Sequence, residues 1–211
     1  GRRFRLDELA QHPNRRPTGL LRMPPIHYLP HELSPLLKVL DDRVVRVVGM
    51  SAEAPSRRRP DLPCPDVQMA MMKTAKGTVM RLVTALQLPH PRQDWPFHWQ
   101  HVRGTRGFVE GPQAGFDQYR LWLDGQQMHD VAQVRWSQRR TSEPAEAAAS
   151  GHAGLDYYPH ALFRDAVLTG ARADIDVCQA VDTAAPDILA AESIAADSMP
   201  MAVPDFRPSA Q

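Results

Sequence analysis

The sequence predicts an α+β domain: an open, mostly antiparallel or mixed β-sheet with helices packed on one face. First, β-branched segments separated by turn residues fill the middle of the chain, from Arg43 to Trp136, without regular β-α-β alternation. Second, apolar residues at helical spacing flank this region, after Pro30 and again after His152. Strands that follow one another through tight turns pair antiparallel, so the helices are expected to pack onto one side of the resulting sheet.

The chain opens with a lead-in, residues 1–26, in which four prolines prevent a long helix. A short helix is predicted from Pro30, because leucines at i, i+3, i+4 and i+7 form one apolar stripe. These are Leu33, Leu36, Leu37 and Leu40. The lead-in is expected to be a piece of a longer protein, since the chain begins on Gly1 without a starting Met and places charges and turn residues before any periodic segment.

The strands follow in order. Arg43–Ala52 is rich in β-branched residues and has the length of a strand. A hairpin is predicted next, with one strand ending at Thr74, the other beginning at Thr78, and Gly77 in the turn. The remaining predicted strands are His98–Arg103, Phe108–Glu110, Gln118–Leu123 and Met128–Trp136.

The last third of the chain is predicted to be helical. Ser137–Ser150 lacks aromatic and β-branched residues and is expected to be a surface loop. One helix should run from His152 to Gly170, and another over Val177–Ala196, where Pro186 is expected to split it in two. The α+β domain is therefore expected to cover residues 27–198, followed by an extended tail over residues 199–211.

Composition excludes several classes of partner. The chain has 25 Lys and Arg against 24 Asp and Glu, which offers no overall charge for binding nucleic acid or an anionic membrane. No apolar run reaches the roughly 18 to 20 residues of a spanning helix, and the start lacks the core of a signal peptide. With two distant cysteines and no CxxC spacing, a cytoplasmic location is expected.

Apolar residues also fall on more than one face of the predicted sheet. They are Met69, Met71, Val79, Leu82 and Trp122. A face that is not polar must be covered, so a homo-oligomer formed through the sheet is expected.

The densest site-like cluster is residues 26–35, which place His27, Tyr28 and His31 at the entry of the first helix. Imidazole and phenol groups transfer or donate protons in a useful pH range. The plainer interpretation is a helix entry with exposed or capped histidines. A metal pair has little support, since no third ligand is visible nearby, and no metal site is predicted.

A second cluster, residues 150–158, places His152 between small residues, with Asp156 four positions later. Small residues allow a ligand to approach the backbone closely. The alternative is a Gly-rich loop with an acidic residue that favours the helix dipole. His98 and His101, beside Trp95 and Trp99, are interpreted as ordinary strand residues, and Arg57-Arg58-Arg59 as a solvated loop.

Taken together, these motifs are similar to the C-terminal domain of the Gfo/Idh/MocA oxidoreductases. Within that superfamily they most resemble glycoside hydrolase family 109, the NAD-dependent α-N-acetylgalactosaminidases. The motifs are Tyr28-x-x-His31-x-Leu33-x-Pro35, the hairpin MAMMKTAKGTVMRLVT, Gly104-Thr105-Arg106-Gly107, Gly151-His152-Ala153-Gly154-x-Asp156, and the ending Asp174-Ile175-Asp176-Val177 through Pro204-Asp205-Phe206. The resemblance covers nearly the whole chain from Tyr28 onward.

The resemblance implies a subunit whose N-terminal Rossmann domain binds NAD or NADP. Neither its glycine fingerprint GxGxxG nor a P-loop occurs here, so cofactor-binding residues are expected in the missing domain. The resemblance also implies an open sheet whose exposed face makes the dimer or tetramer contact.

Site roles come from the same resemblance. His31 matches the histidine that handles the hydroxyl proton, and Tyr28 a substrate-contacting tyrosine. His152 and Asp156 are expected near the sugar, and Arg16 to hold a substrate oxygen. In the dehydrogenase branch an Asp often stands four residues before the histidine; here His27 takes that place, which departs from the proton relay of that branch.

Three functional hypotheses follow. The first is the substrate-binding and oligomerisation half of an NAD(P)-dependent enzyme that transfers hydride at a sugar ring carbon, with either oxidation or glycoside cleavage as the outcome. The second is a non-catalytic module that pairs through its sheet. The third, with little support, is a metal-dependent hydrolase using His27, His31 and His152. Enzymatic activity is expected of the full-length protein rather than of this chain alone.

Overall fold

A computed structural model describes residues 22–57, 60–85, 100–111, 118–125, 132–134 and 144–207. They form two compact units, one containing the described residues up to 85 and from 175 onward, the other those from 100 to 174. The strands are β1 Val44–Ser51, β2 Gln68–Thr74, β3 Val79–Thr84, β4 His101–Gly104, β5 Gly107–Glu110, β6 Tyr119–Leu123, β7 Ala132–Val134 and β8 Met201–Ala202. The α-helices are α1 Pro30–Leu40, α2 Ala145–Ala148, α3 Tyr157–Thr169 and α4 Val177–Ala195, with 3-10 turns at Pro25–Tyr28 and His152–Gly154.

The first unit is a four-stranded antiparallel sheet in the order β3-β2-β1-β8. Alternation along the strands buries one face under α1, α4 and the 3-10 turn at Pro25–Tyr28. This core contains Leu33, Leu37, Val47, Ala70, Met72, Met80, Leu82 and Ala190. The opposite face carries Met50, Met71, Val79 and Val83, each at least 42% exposed. The helices of this unit therefore cover a single face of its sheet.

Close approach of α4 to β1 depends on Gly49. A Cβ at this position would lie 2.3 Å from the Ala190 carbonyl oxygen and 2.8 Å from Cγ1 of Ile194. Strand β8 pairs with β1 only at Arg46 and Val47. Further along β1, the Gly49 N–H donates to Oγ of Ser193 at 2.9 Å instead. The helix thus both fills the space above Gly49 and satisfies its backbone donor.

Helix α4 is continuous, so the prediction that Pro186 splits it is wrong. Pro186 lies inside the helix and is buried. A proline removes one intrahelical hydrogen bond, but α4 packs against β1 along its length, and Asp176 and Gln179 form a capping box at its start. Tertiary packing, which stabilises most helices in proteins, outweighs the local penalty.

The second unit holds a four-stranded antiparallel sheet in the order β4-β5-β6-β7. Phe108 and Trp122 stack across β5 and β6, with ring centroids 6.3 Å apart. The helix predicted up to Gly170 is present as α3, with Gly170 in the left-handed conformation after its last turn. None of the α3 residues is buried, and Phe163, Val167 and Leu168 are at least 66% exposed.

The predicted fold class, α+β with an open, mostly antiparallel or mixed sheet and helices on one face, is confirmed as α+β with open antiparallel strands and helices. The described strands form two sheets rather than one. Part of the expected loop over residues 137–150 is the short helix α2, which begins after Pro144; the predicted loop is wrong there because Ala145–Ala148 is rich in the strongest helix former. The ends of several predicted strands lie outside the described residues. Among the helices of the described part, none combines the length and apolarity of a membrane span.

Candidate functional site

The first candidate cluster is built on the turn that leads into α1. Ile26, Leu29 and Leu33 are fully buried and anchor this segment on the core. The Ile26 N–H donates to the side-chain oxygen of Gln68 at 2.9 Å, which fastens the turn to the first residue of β2. The polar residues between these anchors remain accessible. His27 and Tyr28 are half-buried, and His31 is exposed.

The structure brings Tyr28 and His31 together. Their ring centroids lie 4.2 Å apart with a 35° angle between the planes. The 3-10 turn ends at Tyr28, and α1 begins two residues later at Pro30, so a short change of helix type places the two rings side by side. Each side chain also has a further interaction partner. The arrangement presents a phenol and an imidazole at the same point of the surface.

His27, the third polar residue of this cluster, contacts α4 through its imidazole. Its Nδ1 lies 3.5 Å from Oδ1 of Asp187, whose side chain is 8% exposed. Burial raises the pKa of the Asp187 carboxyl, and the charge and hydrogen-bonding capacity of His27 partly oppose that rise. His27 and His31 do not share one α-helix, because His27 belongs to the 3-10 turn and His31 to α1, which begins at Pro30 as predicted.

Buried polar groups lie beneath the same turn. Gln68 pairs in register with Thr84, and both are buried. The Gln68 amide donates to Oγ of Ser51 at 3.3 Å while its oxygen accepts from Ile26. Within the described part of the chain, Oγ1 of Thr84 has no hydrogen-bond partner. Sequence analysis missed this group, since Gln68 and Thr84 stand at the ends of apolar strands and no local motif marks them.

The second candidate cluster is a tight turn ahead of α3. Nδ1 of His152 lies 2.8 Å from Oδ1 and 3.0 Å from Oδ2 of Asp156. Gly151 makes room for this pair, because a Cβ there would lie 2.3 Å from Oδ2 of Asp156. The space beside Gly151, where the sequence predicted that a ligand could approach the backbone, is therefore occupied by the Asp156 carboxylate. Both side chains are largely exposed, at 63% and 47%.

The predicted site residues fall in both units. Tyr28, His31 and His27 belong to the first, and His152 and Asp156 to the second. Arg16 lies outside the described residues, as do Trp95, His98 and Trp99. His101 lies on β4, where Arg103 donates to its Nε2 at 3.0 Å. In the described part, no group of three or more His, Cys, Asp or Glu side chains is arranged to hold a metal ion.

A separate polar cavity of about 160 Å³ lies in the first unit, between the C-terminal half of α1 and α4. Its lining includes Lys38, Asp42, Gln179, Asp182 and Arg207, but neither Tyr28 nor His31. Arg207 contacts the buried Asp182 carboxylate at 2.6 Å, and Arg43 lies 3.0 Å from Asp205. Burial raises the pKa of Asp182, and the nearby arginines oppose that rise. The first contact joins the tail to α4, and the second joins it to the residue before β1.

Comparison with known proteins identifies the family. Residues 47–210 match the family model described as "Glycosyl hydrolase 109, C-terminal domain". The chain belongs to this family. Its relatives include glycosyl hydrolase family 109 proteins from Streptomyces niveus, 28% identical over 203 residues, and from Saccharopolyspora erythraea, 25% identical over 201 residues. Each alignment covers 85% of this chain but only 39% and 42% of the respective relative, so the chain spans about two fifths of their length.

Solved structures show the same fold. An oxidoreductase from Agrobacterium radiobacter, in complex with NAD+, L-tartaric acid and magnesium, gives a TM-score of 0.61 at 15% identity, covering 82% of this chain and 47% of that one. Levoglucosan dehydrogenase in complex with NADH and L-sorbose gives 0.59 at 14% identity, covering 86% and 51%. The predicted resemblance to the C-terminal domain of glycoside hydrolase family 109 is confirmed by the family model, and these structures share the predicted fold. Tyr28 and His31 precede residue 47, where the match to the family model begins.

Proposed function

We propose that this chain is the substrate-binding half of an NAD-dependent glycosidase or sugar oxidoreductase, with Tyr28 and His31 at the reacting end of the substrate. The observation that carries the proposal is the contact between these two rings, 4.2 Å apart, at the entry of α1. Family membership supports the class of reaction. The relatives are named as glycosyl hydrolase family 109 proteins, and the similar structures include an oxidoreductase in complex with NAD+ and a dehydrogenase in complex with NADH.

Each ring has a distinct role. His31 is exposed, and an imidazole near neutral pH can accept the proton of a sugar hydroxyl and return it. Tyr28 packs against that imidazole and can donate a hydrogen bond to an oxygen that gains negative charge. The buried Ile26 and Leu29 hold the turn in place, which fixes both groups before the substrate arrives.

The nicotinamide cofactor does not fit this chain alone. The sequence contains no strand followed by a glycine fingerprint at a helix start, and the first turn of α1 offers Pro30 where a phosphate cradle needs backbone N–H groups. We propose that NAD or NADP is bound mainly by a further domain of the full-length protein. When bound, it would supply the hydride acceptor and donor; this chain's residues bind and orient the sugar and move its protons.

His27, Asp156, His152 and Arg16 are proposed to contact the sugar. Of these, His152 and Asp156 already form a hydrogen-bonded pair on an exposed turn. An exposed carboxylate–imidazole pair can exchange its internal hydrogen bond for bonds to sugar hydroxyls at small cost.

The test uses the full-length protein that carries this chain together with its nucleotide-binding domain. NAD-dependent cleavage of p-nitrophenyl α-N-acetylgalactosaminide and NAD reduction by free sugars report the two possible reactions. His31→Ala is expected to lower kcat by about 10² or more. Tyr28→Phe keeps the ring contact and is expected to lower kcat by about 10² through loss of the hydroxyl donor. His160→Ala, an exposed histidine of α3, is the matched control and should leave kcat unchanged.

Unchanged turnover in both His31→Ala and Tyr28→Phe would remove these rings from the reaction. If the wild-type full-length protein shows neither reaction and binds no NAD in calorimetry, the enzyme proposal fails. The chain would then be better explained as a module that pairs through its sheet.

We also propose that the exposed face of the first sheet joins two copies of this chain. The face is apolar towards one end of the strands, where Met50, Met69 and Val83 pair across the three long strands, and Arg46, Lys73 and Arg81 are interspersed along the rest of it. Patches of this kind are usually covered in the assembled protein. Met71→Glu is expected to shift the assembly to monomers in light scattering after gel filtration, whereas Val39→Glu, on the exposed side of α1, should leave it unchanged. An identical mass for the Met71 variant and wild type would contradict this assembly.

A further inference from the structure

The contact between His27 and Asp187 is a second chemical feature beside the Tyr28–His31 pair. The two residues come from opposite ends of the chain and meet where the 3-10 turn packs against α4. The His27 imidazole is the charged or chargeable group in contact with the Asp187 carboxyl, 3.5 Å from Nδ1 to Oδ1. The imidazole is 34% exposed at its side chain, whereas the carboxylate is 8% exposed. A partly exposed imidazole thus contacts an almost fully buried carboxylate on its inner side.

We propose that His27 and Asp187 form a dyad that accepts a hydrogen bond from a hydroxyl group of the sugar substrate, with Asp187 as the positioning residue. This inference rests on the proposed function and extends it by assigning a role to a residue of α4. The dyad binds the substrate rather than reacting with it, so its loss should weaken binding more than it slows turnover.

The chemistry follows from which imidazole nitrogen meets the carboxylate. Nδ1 faces Asp187, so of the two tautomers of a neutral imidazole the carboxylate favours the one with its proton on Nδ1, which donates to Asp187. Nε2 then keeps its lone pair and can accept from an O–H group. The 3.5 Å separation is longer than the roughly 2.9 Å of a typical N–H···O bond, and such bonds often tighten when the substrate is bound.

If Asp187 served only to stabilise the fold, Asp187→Asn would lower the stability of the protein. The dyad predicts no such loss, for the following reason. Burial raises the pKa of Asp187 in the folded protein. A carboxyl whose folded pKa is raised stabilises the fold only below its unfolded pKa, and that contribution is lost as the pH rises through the folded pKa. Above the folded pKa the ionised Asp187 therefore costs stability, and Asp187→Asn should be as stable as the wild type or more stable at such a pH. A residue kept at a cost in stability is typical of a functional site.

The kinetic test uses the full-length protein and p-nitrophenyl α-N-acetylgalactosaminide. Asp187→Asn is expected to raise KM by about tenfold with little change in kcat, the effect of losing one hydrogen bond made equally in the ground and transition states. Asp182→Asn is the matched control. It is equally buried on the same helix but faces Arg207, and it should leave KM unchanged. His27→Gln should raise KM similarly, and the double variant His27→Gln/Asp187→Asn no further, because the pair acts as a unit.

A second readout does not depend on turnover. In full-length protein labelled with 15N-histidine, the long-range 1H–15N spectrum shows which nitrogen carries the proton, and His27→Gln identifies the signal of His27. The proton is expected on Nδ1 in the wild type and is expected to redistribute towards Nε2 in Asp187→Asn, whose amide can donate to Nδ1. Thermal unfolding of each variant checks that it is folded.

The outcomes separate the two proposals. A redistributed proton with an unchanged KM would overturn the substrate role of the dyad while leaving the His31 reaction intact. An unchanged proton position, or a loss of stability in Asp187→Asn above the folded pKa of Asp187, would overturn the dyad itself. Absence of any reaction in the wild type would instead remove the proposed function.

Discussion

The backbone N–H of Gly49 donates a 2.9 Å hydrogen bond to Oγ of Ser193, and the same hydroxyl donates at 2.6 Å to the carbonyl of Met199. Ser193 is fully buried. A single helix side chain thus joins β1, α4 and the segment that leads into β8. Because α4 also supplies Asp187, this packing sets the distance between the helix and the turn that carries His27, Tyr28 and His31.

Gly49→Ala is expected to destabilise the protein by about 2–3 kcal/mol, because its Cβ would overlap the backbone of Ala190 and force α4 away from β1. Urea unfolding followed by circular dichroism measures the change. Gly104→Ala is the matched control, since its Cβ would have only an ordinary contact at 3.7 Å, and it should cost less than about 0.5 kcal/mol. Equal stabilities for the two variants would show that α4 and β1 can separate without cost.

Asp42 is expected to make folding sensitive to acid. Burial disfavours its charge, but hydrogen bonds from Thr74 and from the backbone of Arg43 and Lys76 outweigh that effect and lower the pKa of Asp42. A lowered folded pKa gives stability that is present above the unfolded pKa, about 4, and is lost as the pH falls through the folded pKa. Asp42→Asn should therefore lose about 1 kcal/mol at pH 7 and almost none at pH 2.

The neighbouring Asp41 provides the control for this prediction. Its side chain is 99% exposed, 3.5 Å from Lys76, and such surface pairs contribute little. Asp41→Asn should follow the wild-type stability curve at every pH. Parallel curves for Asp42→Asn and the wild type, with a constant gap, would show that the carboxylate charge of Asp42 is not involved.

His152 and Asp156 are expected to matter for substrate rather than for stability. Both side chains are largely exposed, so Asp156→Asn should change the free energy of unfolding by less than about 0.5 kcal/mol. If the pair contacts the sugar, as proposed, the same change should raise KM about tenfold in the full-length enzyme. Arg164→Gln, which removes an equally exposed ion pair of α3 with Asp165, should alter neither quantity. An unchanged KM for Asp156→Asn would leave His152 and Asp156 as a structural turn.

The local pattern was sufficient to predict most elements of this fold. The leucine stripe of α1, the β-branched run of β1 and the predicted hairpin of β2 and β3 are confirmed, because residues spaced for one buried face form the element that presents such a face. Pro186 shows where this reasoning ends. Its local penalty predicts a break, but α4 remains whole because the sheet beneath stabilises the helix through its packing.

The candidate site was predicted only in part, for a related reason. Tyr28 and His31 are close in sequence, so their contact could be anticipated from a turn and a helix start. His152 and Asp156, four positions apart, could be paired in the same way. Asp187 could not be placed beside His27, because no local spacing connects the two residues.

The sequence by itself therefore determined the fold class and the two clusters of polar residues, which depend on patterns within a few tens of residues, and the family, which depends on the order of motifs along the chain. Only the tertiary structure decided that the carboxylate behind His27 comes from α4, that Gly49 admits this helix, and that Gln68 fastens the turn. These contacts join segments far apart in the chain. Their geometry is set by how the helix packs on the sheet, and no local pattern of residue types contains that information.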